Sequence, residues 1–194
     1  MNITVSINKE FGELTDKKIE RIASNFPELN NVQNMDSQIV FFQMENQALI
    51  LNKVNNEIAV AFPSDSILET SVANLLKLLD LLDLDNEGIC NITIENVEES
   101  GFSVANASKN LLGLNDETDG VGLRLLIDTF SDYPKEIKVE PRIDDFEKLY
   151  VSCVQTQKVS SELTKEFVEN SVEYLLEKLE QYKKIYLEKG GEIG

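Results

Sequence analysis

The stretch SELTKEFVENSVEYLLEKLEQYKKIYLEK, residues 161–189, predicts a single long amphipathic helix around which the rest of the chain can be arranged. Its apolar residues recur at steps of three and four, and Lys and Glu fill the opposite face. The apolar stripe contains Leu163, Phe167 or Val168, Val172, Leu175, Leu179, Tyr182 and Tyr186. At about 1.5 Å per residue this helix is roughly 40 Å long. We therefore expect it to lie along a sheet or to pair with another helix.

A second, leucine-rich helix is predicted over residues 66–84. Pro63-Ser64-Asp65 provides a capping sequence before it, and Gly88 follows its end. Its apolar residues keep steps of four and three, with further leucines between them. This pattern is typical of a helix that is buried on more than one side.

Alternation of apolar and polar residues predicts strands in the first half of the chain. Ile3, Val5 and Ile7 indicate an opening strand, and a short helix should begin after Thr15 and end at Pro27. An Asn-rich loop follows. Three strands in close succession then predict an antiparallel meander, with Asn in the connecting turns. These strands cover residues 38–44, 47–53 and 57–62.

The second half repeats this order in outline. Cys90, Ile92 and Ile94 indicate a strand, residues 98–120 are polar with one short helix near 105–112, and three further strands precede the long helix. Those strands cover residues 121–130, 136–143 and 148–157. Pro141 cannot donate a hydrogen bond to a neighbouring strand, so its strand should be an edge strand or a bulged one.

Together these elements predict an α+β fold in a single domain, residues 1–194. We expect an antiparallel sheet of about seven or eight strands, with the 66–84 and 161–189 helices packed on one face. The similar element order of residues 1–87 and 88–194 also suggests a duplicated β-α-β3-α unit. Two unrelated sets of α+β elements are the alternative.

The charge of the chain limits its partners. It carries 18 basic and 35 acidic residues, a formal net charge of −17, and residues 65–120 hold 12 acidic against 2 basic residues. Such a charge argues against direct binding of nucleic acid or an anionic membrane surface. A basic protein is the partner that the charge favours. Residues 1–5 do not resemble a signal peptide, so we expect a cytoplasmic protein.

The residue types argue against an enzyme. The chain has no histidine and only two cysteines, Cys90 and Cys153, which we interpret as buried free thiols. A catalytic triad or a zinc site therefore has no support, and the sequence has no phosphate-binding glycine motif. The segments 83–88 and 115–120 resemble calcium loops but lack the carboxylate that the twelfth position requires. We predict no catalytic residue, metal or cofactor.

The candidate partner-binding residues are the carboxylates of the acidic middle of the chain. Three of them, Asp80, Asp83 and Glu87, lie at helical spacing near the end of a helix, where the dipole disfavours negative charge unless something positive lies opposite. The full predicted set is Asp80, Asp83, Asp85, Glu87, Glu95, Glu98, Glu99, Asp116, Glu117 and Asp119.

We therefore expect a small, acidic, non-enzymatic protein-binding module. A chaperone or escort, an immunity or antitoxin partner, and an inhibitor of a basic nucleic-acid-handling protein all fit. The element order, size and acidity resemble those of the class I secretion chaperones of bacteria, which implies an escort role. The first strand and residues 98–120 depart from that family. The Asn-, Lys-, Ile- and Glu-rich composition is typical of a low-GC bacterium or its phage.

Three alternatives remain at this stage. A ligand-binding or enzymatic cavity could lie between the sheet and the C-terminal helix, with Arg124, Asp128, Tyr150 and Tyr174 in its wall. The long helix could form a homodimer, since its tyrosines suit a half-exposed contact. The carboxylates could also imitate the phosphates of DNA.

Overall fold

The computed structural model describes residues 1–63, 65–99, 109, 121–128, 135–142, 144–159 and 163–191. The helices of this part are α1 (Asp16–Ala23), α2 (Leu68–Leu81) and α3 (Lys165–Gly191). The strands are β1 (Asn2–Asn8), β2 (Asn31–Met35), β3 (Ile39–Gln43), β4 (Ala48–Asn52), β5 (Glu57–Phe62), β6 (Gly88–Glu99), β7 (Leu123–Ile127), β8 (Lys135–Arg142) and β9 (Asp145–Val159).

The described strands form one antiparallel sheet, which confirms the predicted α+β class. Their order across the sheet is β2-β3-β4-β5-β1-β6-β9-β8-β7. Nine strands are present in the described residues, slightly more than the seven or eight expected. Both β1 and β6 lie inside the sheet, each beside the last strand of the meander that follows it in sequence. The duplication of residues 1–87 and 88–194 stays a prediction.

The chain divides into two compact units. The first unit contains Asn2–Ile92 and Thr156–Ser171. Its meander pairs in regular antiparallel register, and β5 pairs with β1 through Val60 and Val5. Alternate residues of these strands are fully buried, and α2 adds Val72, Leu75 and Leu79 to the same core. Helix α1 begins as predicted, because the Thr15 side chain accepts a hydrogen bond from the Lys18 backbone N–H.

The second unit contains Thr93–Gln155 and Val172–Gly194, with Met1. Its described strands bury one face, and the corresponding stripe of α3 is buried too. The core residues include Ile94, Ile137, Val139, Val151, Leu175 and Leu179. Tyr186 is 1% exposed, and its hydroxyl donates to the carbonyl of Val121 at 2.8 Å. The apolar stripe predicted for this helix is therefore part of the protein's own hydrophobic core. A homodimer through α3 stays a prediction.

Two local predictions have informative outcomes. The Asn-rich loop after Pro27 was expected to be irregular, but it contains β2, the edge strand of the meander. Four of its five residues are exposed, so the strand lacks the apolar alternation by which the others were identified. Pro141 behaves as predicted for a bulged strand, because the β8–β9 register shifts between Pro141 and Arg142.

The remaining outcomes concern the ends of α2, the two thiols and the short helix predicted near 105–112. Helix α2 begins at Leu68, after a 3-10 turn at Asp65–Ile67, and ends at Leu81, inside the predicted 66–84 range. Cys90 and Cys153 are buried free cysteines, as expected, and burial raises the pKa of each thiol to about 12. The helix predicted near 105–112 lies outside the described residues, apart from Lys109.

Over the described ranges, none of the helices combines the length and the apolar character needed to cross a membrane.

Candidate functional site

The first group of predicted partner-binding residues lies at and after the end of α2, in what we call the 80–87 segment. Asp80 is in the last turn of the helix, and Asp83 follows it with a positive φ of 59°. Asp80, Asp83 and Glu87 are exposed, and within the described part of the chain none of the three forms an ion pair. The structure thus leaves three carboxylates of this segment open to solvent.

Asp85, in the same segment, differs because the chain supplies its cation. Lys9 donates to the Asp85 carboxylate and, at 3.0 Å each, to the backbone carbonyls of Asp85 and Glu87. The hydrogen bond from Lys9, with a second from the Glu87 backbone N–H, holds the pKa of Asp85 below its ordinary value. Arg21 donates to the carbonyl of Leu81 at 2.5 Å, at the negative end of α2. The chain itself therefore supplies part of the positive charge that we expected opposite this segment.

The second group of predicted residues, the 95–99 segment of β6, is paired within the chain. Tyr150 donates its hydroxyl to Glu95 at 2.7 Å, and Lys148 lies 3.3 Å from the Glu99 carboxylate. Lys183 donates to both oxygens of Glu98 at 3.1 Å. All three carboxylates of this segment therefore already have a donor.

Burial distinguishes the pair of Lys183 and Glu98 from an ordinary surface ion pair. The side chain of Lys183 is 15% exposed and that of Glu98 is 31% exposed. Burial alone would lower the pKa of Lys183, but the hydrogen bonds to Glu180 and Glu98 outweigh it and raise the pKa above its usual value. The ammonium group is thus committed to these two carboxylates. The other predicted residues, Asp116, Glu117 and Asp119, lie outside the described part of the chain.

Of the four residues that the alternative prediction placed in the wall of a cavity, only two lie close to each other. The Tyr174 hydroxyl lies 3.4 Å from Asp128, to which Lys135 donates at 2.5 Å. Arg124 instead donates to Glu136 at 2.7 Å, while Tyr150 is bonded to Glu95. The nitrogen atoms of Lys135 and Lys178 lie 5.2 and 5.5 Å from the centre of the Tyr174 ring. Tyr174 and Asp128 therefore form an ion-rich cluster that does not include the other two residues.

Sequence reasoning missed a groove in the first unit, which we call the α2 groove. It consists of two adjoining cavities of about 350 and 200 Å³ that share Glu28, Met44 and Thr70 in their walls. The walls come from the loop after α1, the β3–β4 turn, and α2 together with Ile67 just before it. Because these three segments are distant in sequence, no local spacing of residue types could indicate the groove.

No known family model matches this chain, and no curated protein does either.

Proposed function

We propose that this chain is a non-enzymatic module that binds a basic protein through the 80–87 segment. The observation that carries the proposal is the presence of three exposed carboxylates, Asp80, Asp83 and Glu87, without an ion pair in the described part of the chain. An escort, an immunity or antitoxin partner and an inhibitor all work by this kind of recognition.

The distribution of cations supports the proposal. Most described lysines and arginines already contact carboxylates or backbone carbonyls of their own chain. The formal charge of −17 therefore resides in carboxylates that the chain has few free cations to neutralise. A Lys- or Arg-rich surface supplies the missing charge, and the field of the acidic chain accelerates its approach.

An apolar contact lies close to the three carboxylates in sequence. Ile89, the second residue of β6, is 42% exposed and follows Glu87 by two positions in the chain. Exposed charges mainly steer association, whereas buried apolar contacts provide most of the lasting affinity. The 80–87 segment with Ile89 offers both.

Affinity capture with two charge-matched variants tests the proposal. D80N/D83N/E87Q removes three charges from the segment, and E13Q/D36N/E173Q removes three exposed carboxylates elsewhere. Native protein and both variants are immobilised and exposed to lysate of the source cells at about 50 and about 300 mM salt, where screening differs. We expect a basic protein to be retained at low salt by the native form and the second variant only. Equal capture by all three forms, or no basic protein captured by any, would overturn the proposal.

A further inference from the structure

Strand β2 lies at one edge of the sheet without the features that usually keep an edge strand from pairing further. Most edge strands carry charged residues or proline, or a helix or loop covers them. The sequence of β2 is NVQNM, which contains neither a charge nor a proline, and four of its five residues are exposed. Met35 alone is 56% exposed. By contrast β7, which is also an edge strand, carries the exposed Arg124.

The hydrogen bonds around β3 show which of its residues bond to which neighbouring strand. At one end of β3, the Lys53 N–H donates to the Gln38 carbonyl at 2.8 Å. At the other end, the Met44 N–H donates to the Gln47 carbonyl at 2.8 Å. Successive residues of a strand inside an antiparallel sheet bond to its two neighbours alternately. The even-numbered residues of β3 therefore bond to β4, and the odd-numbered residues bond to β2.

The same alternation identifies the backbone groups that β2 turns away from the sheet. Gln33 lies opposite Phe41, an odd-numbered residue of β3, so the backbone of Gln33 bonds to β3. Its neighbours Val32 and Asn34 then direct their N–H and C=O groups outward, where the sheet has no further strand in the described part of the chain. These groups form a ready template for one more strand.

We infer that β2 pairs in antiparallel fashion with β2 of a second copy of this chain, which joins the two sheets edge to edge. With Val32 opposite Asn34 of the second copy, each outward N–H and C=O of both residues has a partner. Gln33 then lies opposite Gln33 of the second copy, across a two-fold axis. This central pair is of the non-hydrogen-bonded type, whose side chains lie closest together, so the two amide groups are placed to bond to each other.

Charge favours a second copy over a basic segment at this edge. Strand β2 has no carboxylate, so a lysine- or arginine-rich segment would gain no ion pair along it, whereas an identical strand brings no like charges together. The rest of each molecule carries the formal charge of −17 and repels the other copy. Self-association should therefore strengthen as salt screens this repulsion, whereas capture of a basic partner weakens with salt. The inference is thus independent of the proposed function.

Two variants of opposite charge at the two-fold axis test the inference by sedimentation equilibrium. Protein concentrations reach about 1 mM, because a contact of one strand is much smaller than a stable interface. We expect a native dimer that is more populated at about 500 than at about 50 mM salt. Q33K and Q33E should each weaken it roughly fivefold, because like charges then face each other. An equimolar mixture of Q33K and Q33E should associate at least as tightly as the native protein.

The control is Q181K, which introduces the same charge at an exposed position of α3 and should dimerise like the native protein. Q33K makes the chain less negative by one charge, so a purely long-range effect would strengthen its self-association. A weaker Q33K dimer therefore reports local contact at β2.

A proline variant tests the backbone pairing separately. V32P removes one outward N–H from each copy and leaves the hydrogen bonds between β2 and β3 in place. We expect V32P to weaken self-association by roughly tenfold or more, the size of the hydrogen bonds lost from the two copies. Urea unfolding checks that V32P and both Gln33 variants are folded.

Three results would overturn the inference and leave the proposed function intact. The first is a native protein that stays monomeric at every concentration and salt. The second is a dimer that Q33K, Q33E and V32P leave unchanged, which would place the contact elsewhere. The third is a mixture of Q33K and Q33E that associates no better than either variant alone, because Gln33 would then not face its own counterpart.

Discussion

The 80–87 and 95–99 segments are both rich in carboxylates but lie in different electrostatic environments. Both are acidic, and both lie in the stretch where the chain concentrates its negative charge. The carboxylates of the 95–99 segment receive hydrogen bonds or ion pairs from Tyr150, Lys183 and Lys148. Among the described residues, Asp85 is the only member of the 80–87 segment with such a partner, Lys9. The comparison teaches that a count of acidic residues locates charge, while the fold decides which of that charge is available to a partner.

The largest expected difference in stability is between variants in which one or the other segment is neutralised. We expect E95Q/E98Q/E99Q to lower the free energy of unfolding by about 1–2 kcal/mol, nearly all from the half-buried Glu98 and its bonds to Lys183. D80N/D83N/E87Q should change it by no more than about 0.5 kcal/mol, because those carboxylates are exposed and unpaired in the described residues. Urea unfolding of the two variants measures both values. A larger loss in D80N/D83N/E87Q would reverse the distinction between the segments.

A smaller effect on stability is expected from replacing Lys9, and this effect should decrease at acid pH. Its hydrogen bond keeps the pKa of Asp85 below the ordinary 3.8, so the folded protein binds fewer protons than the unfolded chain just below that pH. The contribution of this pair is therefore complete above about pH 4 and is lost as the pH falls through the lowered pKa of Asp85. We expect K9M to be less stable than the native protein at pH 6 and the difference to shrink toward pH 3.

Unfolding curves recorded across this pH range measure the difference, and K17M is the control. Lys17 is exposed and forms no ion pair in the described part of the chain, so K17M should follow the native protein at every pH. A difference between K9M and the native protein that stays constant, or grows toward pH 3, would mean that Asp85 does not depend on Lys9.

Local patterns in the sequence predicted most elements of the fold. The meander strands β3 to β5, the Thr15 cap and the bulge at Pro141 each follow from neighbouring residues. Strand β2 was not predicted because it is polar and exposed. An edge strand can pair with its neighbour without an alternation of apolar residues. The position of β1 between β5 and β6 could not be predicted either, because alternation identifies a strand without naming its partner.

The candidate site was less accessible to sequence reasoning. Net charge indicated the acidic residues, yet Lys183 and Glu98 are 85 positions apart, and Lys9 and Asp85 are 76 apart. No local spacing reveals such pairs. The α2 groove likewise combines three separate segments of the chain.

The measurement that tests the central claim most directly is an NMR titration of the carbon-13-labelled protein with a short lysine-rich peptide at low salt. If the 80–87 segment is the surface open to a basic partner, the side-chain carboxyl signals of Asp80, Asp83 and Glu87 should shift with peptide concentration. Those of Glu95, Glu98 and Glu99 should stay in place, because their donors are internal. Equal shifts in both segments, or shifts confined to the 95–99 segment, would contradict the account.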